Sequence, residues 1–289
     1  MALRARRGPE ILPGPPGVTY RGRIAPTPTG FLHLGHAATF DTAARRARDA
    51  GGDLILRIED LDPNRCRREF ADAAIEDLSW LGIRWTGGPV FQSARRSLYL
   101  PAWEKLRDGG WIYPCTRSRR EVATLAPHEE EPVFPPEWRG DPRAAKSFGS
   151  PAGFNWRFRV PDNRCVTFHD GHFGKVEKTA LLDFGDFLVW NRDDIPAYEL
   201  AVVVDDAETT EVVRGADLLT STARQILLHE ALGQSPPLWF HCPLVRDAAG
   251  KRLSKRAGAL GIRELRASGI SPCEVLEMGR AMSSETSAL

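Results

Sequence analysis

The chain lacks any run of apolar residues near 18 in length, so no membrane-spanning helix is expected. Cysteine is scarce: Cys66, Cys115, Cys165, Cys242 and Cys273 are scattered, odd in number and form no Cys-x-x-Cys pair. That argues against a disulfide framework, and against a zinc site read from spacing alone. It also suggests a reducing, cytoplasmic location. An excess of one charge is missing too. Thirty-nine basic residues against 38 acidic ones leave a formal +1, so a surface for nucleic acid would have to be a local patch. The N-terminus, MALRARRGPEILPGPPG, is basic but has no apolar core, so it does not read as a secretory signal. Residues 1–19 are expected to form a flexible leader. No internal repeat is evident. What remains, 289 residues with 42% hydrophobic and 27% charged, suits a soluble globular protein of one or two domains at roughly 100–200 residues each.

The most informative stretch is RGRIAPTPTGFLHLGH, residues 21–36. A short apolar strand around Ile24 is broken by Pro26, Pro28 and Gly30. An Ala/Arg-rich helical pattern follows Gly35 and stops at Gly51. A helix N-terminus after a strand favours an anion, because its open N–H groups and its dipole both do. His33 and His36, three apart, fall on one face of the first turn.

DLILRIEDLDP supplies a second apolar strand, interrupted by Arg57 and ending before Glu59, and a strand–helix–strand unit implies a parallel sheet. Strand C-ends line the ligand crevice of such sheets, which makes Glu59 a candidate. Phe70, Ala74, Leu78 and Leu81 mark one helix face, and LYLPAWEKLRDGG reads as another helix. From Trp111 to about Val176 Pro, Arg and aromatics dominate. There FNWRFRVP alternates as a strand, with Phe154, Trp156, Phe158 and Val160 on one face and Asn155, Arg157 and Arg159 on the other. Asp170-Gly171 marks a hairpin turn. Exposed Arg157, Arg159 and Lys175 are candidate phosphate-backbone contacts, although solvated strand faces carry the same residues. The sheet pattern then returns. FLVW and LAVVV read as strand cores or strand–helix pieces, and VVRGADLL places Arg214 and Gly215 at a strand end. STARQILLHEALG is a helix with Ser or Thr as its N-cap, and WFHCPLV is a last strand. A KRLSKR loop, a short helix around 262–267 and a mobile tail close the chain. The expected organisation is an α/β fold. Its parallel sheet is split into 20–110 and 179–245, an α+β subdomain is inserted at 111–178, and a short helical end covers 246–289.

His33-Leu34-Gly35-His36 and Arg252-Leu253-Ser254-Lys255-Arg256 together resemble the paired signatures of class I aminoacyl-tRNA synthetases, HIGH and KMSKS. RIAPTPTGFLHLGH, LRIEDLDP, PAYELAVVVDD, VVRGADLL and RLSKRAGAL occur in the order seen in glutamyl-tRNA synthetases. The resemblance spans residues 20–261 and is greatest to the short branch, the glutamyl-queuosine tRNA(Asp) synthetases. Thirty-three residues follow Arg256, which leaves no room there for the long helical anticodon-binding region of a tRNA-charging enzyme. The resemblance implies a Rossmann-like catalytic sheet. It also implies ATP-dependent activation of L-glutamate and transfer to the queuosine base at the wobble position of tRNA(Asp), by a monomer.

Carried over residue by residue, Arg23 and Arg214 would grip the glutamate carboxylates, since guanidinium forks match them. Ala25 and Thr27 would line the ligand, Glu59 would hold its α-ammonium, and Tyr198 would lend its phenol. His33, Gly35, His36, Ser254 and Lys255 would contact ATP, entering with Mg²⁺, and Lys255 would neutralise charge on the reacting phosphates. Many family members bind zinc through Cys-x-Cys and a later Tyr-x-x-x-Cys. Here only Cys115 remains, with Arg117, Phe134 and Trp138 at the other three positions, so no structural zinc is expected. Two other functions fit the same residues less well. One is a truncated glutamyl-tRNA synthetase charging a 3′ end. The other is a non-catalytic tRNA-binding paralogue, which intact His33, His36 and Lys255 argue against.

Overall fold

A computed structural model describes residues 19–117, 121, 122, 124, 132–245 and 261–285. Strand β1 (Arg21–Ile24) leads through the Pro/Gly loop into helix α1 (Leu34–Asp49) and back to β2 (Asp53–Ile58), parallel to β1. The right register follows from the apolar pattern: Ile24, Leu56 and Ile58 are fully buried, as strands covered on both faces require. Helix α1 lies against them through Leu34 and through Ala37, Ala43 and Ala47, whose small side chains let its backbone approach the sheet. Gly51, with φ 63°, ends it in a conformation that only glycine takes cheaply. Helix α2 (Arg68–Trp80) then returns to β3 (Val90–Phe91), again parallel to β2, and helix α3 (Arg96–Asp108) follows.

In the stretch expected as an insertion, β4 (Ile112–Cys115) pairs antiparallel with β5 (Asn155–Phe158). The hairpin of β6 (Cys165–Asp170) and β7 (Gly174–Thr179) comes next, then β8 (Phe187–Trp190) beside β5. Helix α4 (Tyr198–Asp205), β9 (Glu211–Gly215), α5 (Leu219–Leu232) and β10 (Leu238–Cys242) complete the sheet pattern. LAVVV therefore lies in a helix. β10 is parallel to both β9 and β6, giving a four-stranded order β7-β6-β10-β9. Thr210 N–H donates to the Arg21 carbonyl at 2.9 Å, and Arg23 Nη1 to the Val213 carbonyl at 2.8 Å, so β9 lies beside β1. From that seam one half winds toward β2 and the other toward β10. This is the switch point at which open α/β sheets hold their ligands.

Three expectations change. The 221–233 helix starts two residues early, at Leu219, and has no side-chain cap. Ser221 and Thr222 are inside it, because their hydroxyls are taken by buried partners, Glu199 and Arg214 respectively. Arg157 is not exposed. Its guanidinium donates to the Asp186 carbonyl at 3.0 Å and lies 4.1 Å above the Phe134 ring, so it is no phosphate contact. Of the other two, Arg159 is exposed as expected, and Lys175 pairs with Glu177 at 2.8 Å. The chain end holds α6 (Ile262–Ala267), as anticipated, and also an unanticipated α7 (Pro272–Glu285). Arg280 of α7 pairs with Asp41 of α1 at 2.8 Å, and Val275 is buried.

The positions of the family's zinc ligands carry a packed cluster. Arg117 lies 4.6 Å over Trp138, and Trp138 meets Phe134 edge to face at 5.9 Å. Arg157 covers the other ring, and buried Cys115 and Tyr113 complete the group. Arginine, phenylalanine and tryptophan offer a metal no lone pair, so the residues present do not fit a zinc ion. Among the described residues no three His, Cys, Asp or Glu side chains converge as a metal site.

Candidate functional site

A cleft of about 420 Å³ opens at the β1/β9 seam. Arg23, Ala25, Thr27, Gly35, His36, Glu59, Tyr198 and Arg214 all line it, so eight of the nine expected residues that can be seen come together. The ninth, His33, is the N-cap of α1 beside them. Ser254 and Lys255 lie outside the described residues. The described residues flanking that segment both sit here: Val245 lines the cleft, and Gly261 forms a bridge with His33.

The two histidines cap the helix reciprocally. His33 Nδ1 accepts from the Gly35 N–H, and His36 Nδ1 accepts from the His33 N–H, each at 3.1 Å. An accepting Nδ1 carries no proton, so the proton of each neutral ring is on Nε2. A Cβ at Gly35 would sit 3.0 Å from His33 Cε1, close enough that the capping ring would have to give way.

The cleft is built on a buried charge network. Arg57 Nη1 pairs with Asp206 at 2.6 Å and Nη2 with Glu59 at 3.0 Å. Arg23 lies 3.4 Å from Asp206, and the Thr27 hydroxyl donates to Glu59 at 3.3 Å. Burial drives the Arg23 guanidinium below its ordinary value, with Asp206 opposing. Burial also disfavours the Arg57 charge, yet Asp206 and Glu59 outweigh it and raise that group. Asp206 is held low in spite of burial by Arg57 and Arg23. Burial pushes the Tyr198 phenol up to about 12, so it remains a neutral donor and acceptor. Arg214, 4% exposed, donates from Nε to His241 at 3.2 Å and from Nη2 to Thr222 at 2.7 Å, while Nη1 faces the Tyr198 hydroxyl at 3.5 Å.

Arg57 and Asp206 were not singled out from the sequence. Their signals were present: an arginine inside the apolar run LILRI, and the acidic pair that ends LAVVVDD. The three buried charged side chains lining the cleft are Arg23, Arg214 and Glu59, two cations and one anion. That is the inverse of an α-amino dicarboxylate, which carries two anions and one cation.

Residues 19–286 match the model of the catalytic domain of class I tRNA synthetases (E and Q). The chain belongs to that family. It is therefore a ligase of the aminoacyl-tRNA synthetase type. A "Glutamyl-Q tRNA(Asp) synthetase" of Nitratidesulfovibrio vulgaris is 42% identical over 274 residues, covering 88% of this chain and 83% of that one. "Glutamate--tRNA ligase 2" of Koribacter versatilis is 39% identical over 263 residues, covering 87% of this chain and 54% of the ligase. Among solved structures, a glutamate tRNA ligase from Elizabethkingia meningosepticum in complex with its amino acid superposes with a TM-score of 0.70 at 30% identity. The match covers 83% of this chain, which spans about half (52%) of that synthetase.

Proposed function

We propose that this synthetase-family chain activates L-glutamate with ATP and transfers the glutamyl group to the queuosine base of tRNA(Asp). The observation that carries the first step is the cleft's charge pattern. Arg23 and Arg214 meet the two carboxylates, and Glu59, steadied by Arg57 and Thr27, meets the ammonium. A carboxylate oxygen of glutamate then attacks the α-phosphorus of ATP, pyrophosphate leaves, and glutamyl-adenylate forms. No enzyme nucleophile takes part, so the protein's contribution is alignment and charge stabilisation. ATP enters as its Mg²⁺ complex, the metal being held mainly by the phosphates. The α1 N-terminus, His33, Gly35 and His36 receive the nucleotide, and Ser254 and Lys255 contact its reacting phosphates.

In the second step a hydroxyl of the acceptor attacks the glutamyl carbonyl carbon, and AMP leaves. A second cavity, about 440 Å³, shares Thr27, Thr29, Glu59 and Tyr198 with the first and is bordered by Arg65, Asn191 and Arg192. Its shared lining supports the reading that an acceptor approaches the activated carbonyl from this side. The choice of queuosine rests on the names of relatives such as the one from Nitratidesulfovibrio vulgaris. A cytoplasmic monomer that needs no zinc completes the proposal. The competing reading is a tRNA-charging enzyme, favoured by the similarity to glutamate–tRNA ligases.

Glutamate-dependent ATP–pyrophosphate exchange, run with and without tRNA, separates the two. Exchange without tRNA that disappears in Lys255→Ala is the expected result. Loss of a charge partner at the reacting phosphates should cost roughly 3–4 kcal/mol in activation. Exchange only with tRNA present would favour the charging enzyme, and none at all would rule out both.

A further inference from the structure

Behind Arg214 lies a buried acid–imidazole pair that neither the motifs nor the chemistry above uses. Its parts come from three strands. Arg214 on β9 and His241 on β10 are register partners in the parallel pairing, and β6 meets β10 where Asp170 stands opposite Trp239. Asp170 and His241 are 1% and 0% exposed. Asp170 Oδ2 accepts from His241 Nδ1 at 2.6 Å and from the His241 backbone N–H at 3.1 Å. Its other oxygen, Oδ1, accepts from the backbone N–H groups of His172 and Phe173, both at 2.9 Å.

These contacts fix the imidazole's tautomer. Arg214 Nε always carries its proton, so His241 Nε2 must accept it, and Nδ1–H must be the donor to Asp170. Burial, with the Arg214 charge adding to it, holds the His241 imidazolium form down, although Asp170 opposes this. Burial raises the Asp170 carboxyl, but its bonds to His241 and Phe173 outweigh that and keep it low. The chain of donors runs from Arg214 through a neutral His241 to an ionised Asp170. Thr222 braces it from α5, accepting from Arg214 Nη2 at 2.7 Å and lying 3.0 Å from His241 Nε2.

We infer that Asp170 and His241 are positioning residues for glutamate: they aim the Arg214 guanidinium by its Nε edge and leave Nη1, beside Tyr198, toward the cleft. A carboxylate on the β6–β7 hairpin thereby governs the amino-acid site, although the hairpin does not line it. An arginine aimed from behind holds Nη1 in one position, and a charge-assisted contact to a carboxylate depends on that position.

This inference rests on the glutamate-activation reading. The test is ATP–pyrophosphate exchange by the full chain, with glutamate and ATP varied separately, for Asp170→Asn and His241→Asn. The second variant keeps an amide for Asp170 but ends short of Arg214. The glutamate KM should rise about tenfold to a hundredfold, the range a misaimed contact produces. The ATP KM and the rate at saturating glutamate should stay within about threefold of wild type, since only uniform ligand binding is lost. A purely structural pair would instead lower the melting temperature and the active fraction while leaving both KM values in place, and that result overturns the inference. Should one variant fail to fold, the other is decisive by the same split; should both, the KM of the residual active fraction decides. Wild-type protein without exchange under any condition would sink the glutamate-activation reading and this inference with it. Wild-type exchange with unchanged KM values in the variants would sink this inference alone.

Discussion

The cleft and the core of the inserted region each bury an arginine over an aromatic ring, Arg214 4.8 Å over Trp239 and Arg157 4.1 Å over Phe134, and the first also lines the cavity. In the cleft, Arg23 and Arg214 are held by groups behind them while part of each lines the cavity. In the insertion, buried Arg157 is laid over Phe134, while Arg117 lies over Trp138 at the exposed edge of the group. Nearby, Asp186 is saturated by Arg139, Tyr113 and the Val160 N–H at 2.7–3.0 Å. A guanidinium that must bind a ligand keeps donors in reserve, at an electrostatic cost. In both places the aromatic face under the guanidinium offsets part of the desolvation by cation–π attraction.

The comparison can be broken most forcefully on the insertion side. Phe134→Ala empties a site that is 2% exposed and should destabilise the fold by about 3–5 kcal/mol. Glutamate and ATP KM values of the surviving folded protein should not change, as denaturant titration and exchange kinetics would show. A chelator should leave the melting temperature where it is, because packing stands in the metal's place; a chelator-induced drop would contradict that. On the cleft side, Arg214→Lys keeps the charge but loses the fork. One charge-assisted bond lost, about 1.5–3 kcal/mol, should raise the glutamate KM roughly 10–200-fold with little change in stability. Gly35→Ala should be smaller. It displaces the His33 cap and should cost about 0.5–2 kcal/mol, visible in the melting temperature and in the ATP KM.

The smallest effect concerns a buried charge with neither a ligand nor a ring. Burial raises the Asp77 carboxyl to about 6 in spite of Arg263, whose Nε lies 3.2 Å away. Its unfolded value is about 3.9. The folded state therefore holds the extra proton between those values, and this contribution to stability is present below pH 4 and lost as pH rises to 6. Asp77→Asn should flatten the pH dependence of the denaturation midpoint across that window. An unchanged slope would show that Arg263 compensates the charge better than the geometry suggests.

Much of the site was legible because local chemistry marked it. A proline-broken loop before a helix, two histidines three apart and Glu59 just past an apolar strand all point to one crevice, and they meet there. The arginines show where legibility ends. Arg57 in LILRI, Arg157 in NWRFRV and Arg214 in VVRG give the same local signal, a charge in an apolar strand. Their roles differ through partners far along the chain: Asp206 for Arg57, Phe134 for Arg157, His241 for Arg214. Strand alternation alone placed Arg157 in solvent, since period-two reading cannot see that both faces of β5 are covered. Helix α7 was missed for a similar reason. Val275, Met278 and Met282 do repeat at helical spacing, but what holds the helix is Arg280 reaching Asp41 and packing on α1.

The most direct test of the whole account is transfer of labelled glutamate to tRNA(Asp) drawn from cells that make queuosine and from cells that do not. The label should appear only on the queuosine-containing tRNA, and nuclease cleavage should leave it on the anticodon fragment. Label on the 3′ end, with or without queuosine, would contradict the account and identify a charging enzyme instead.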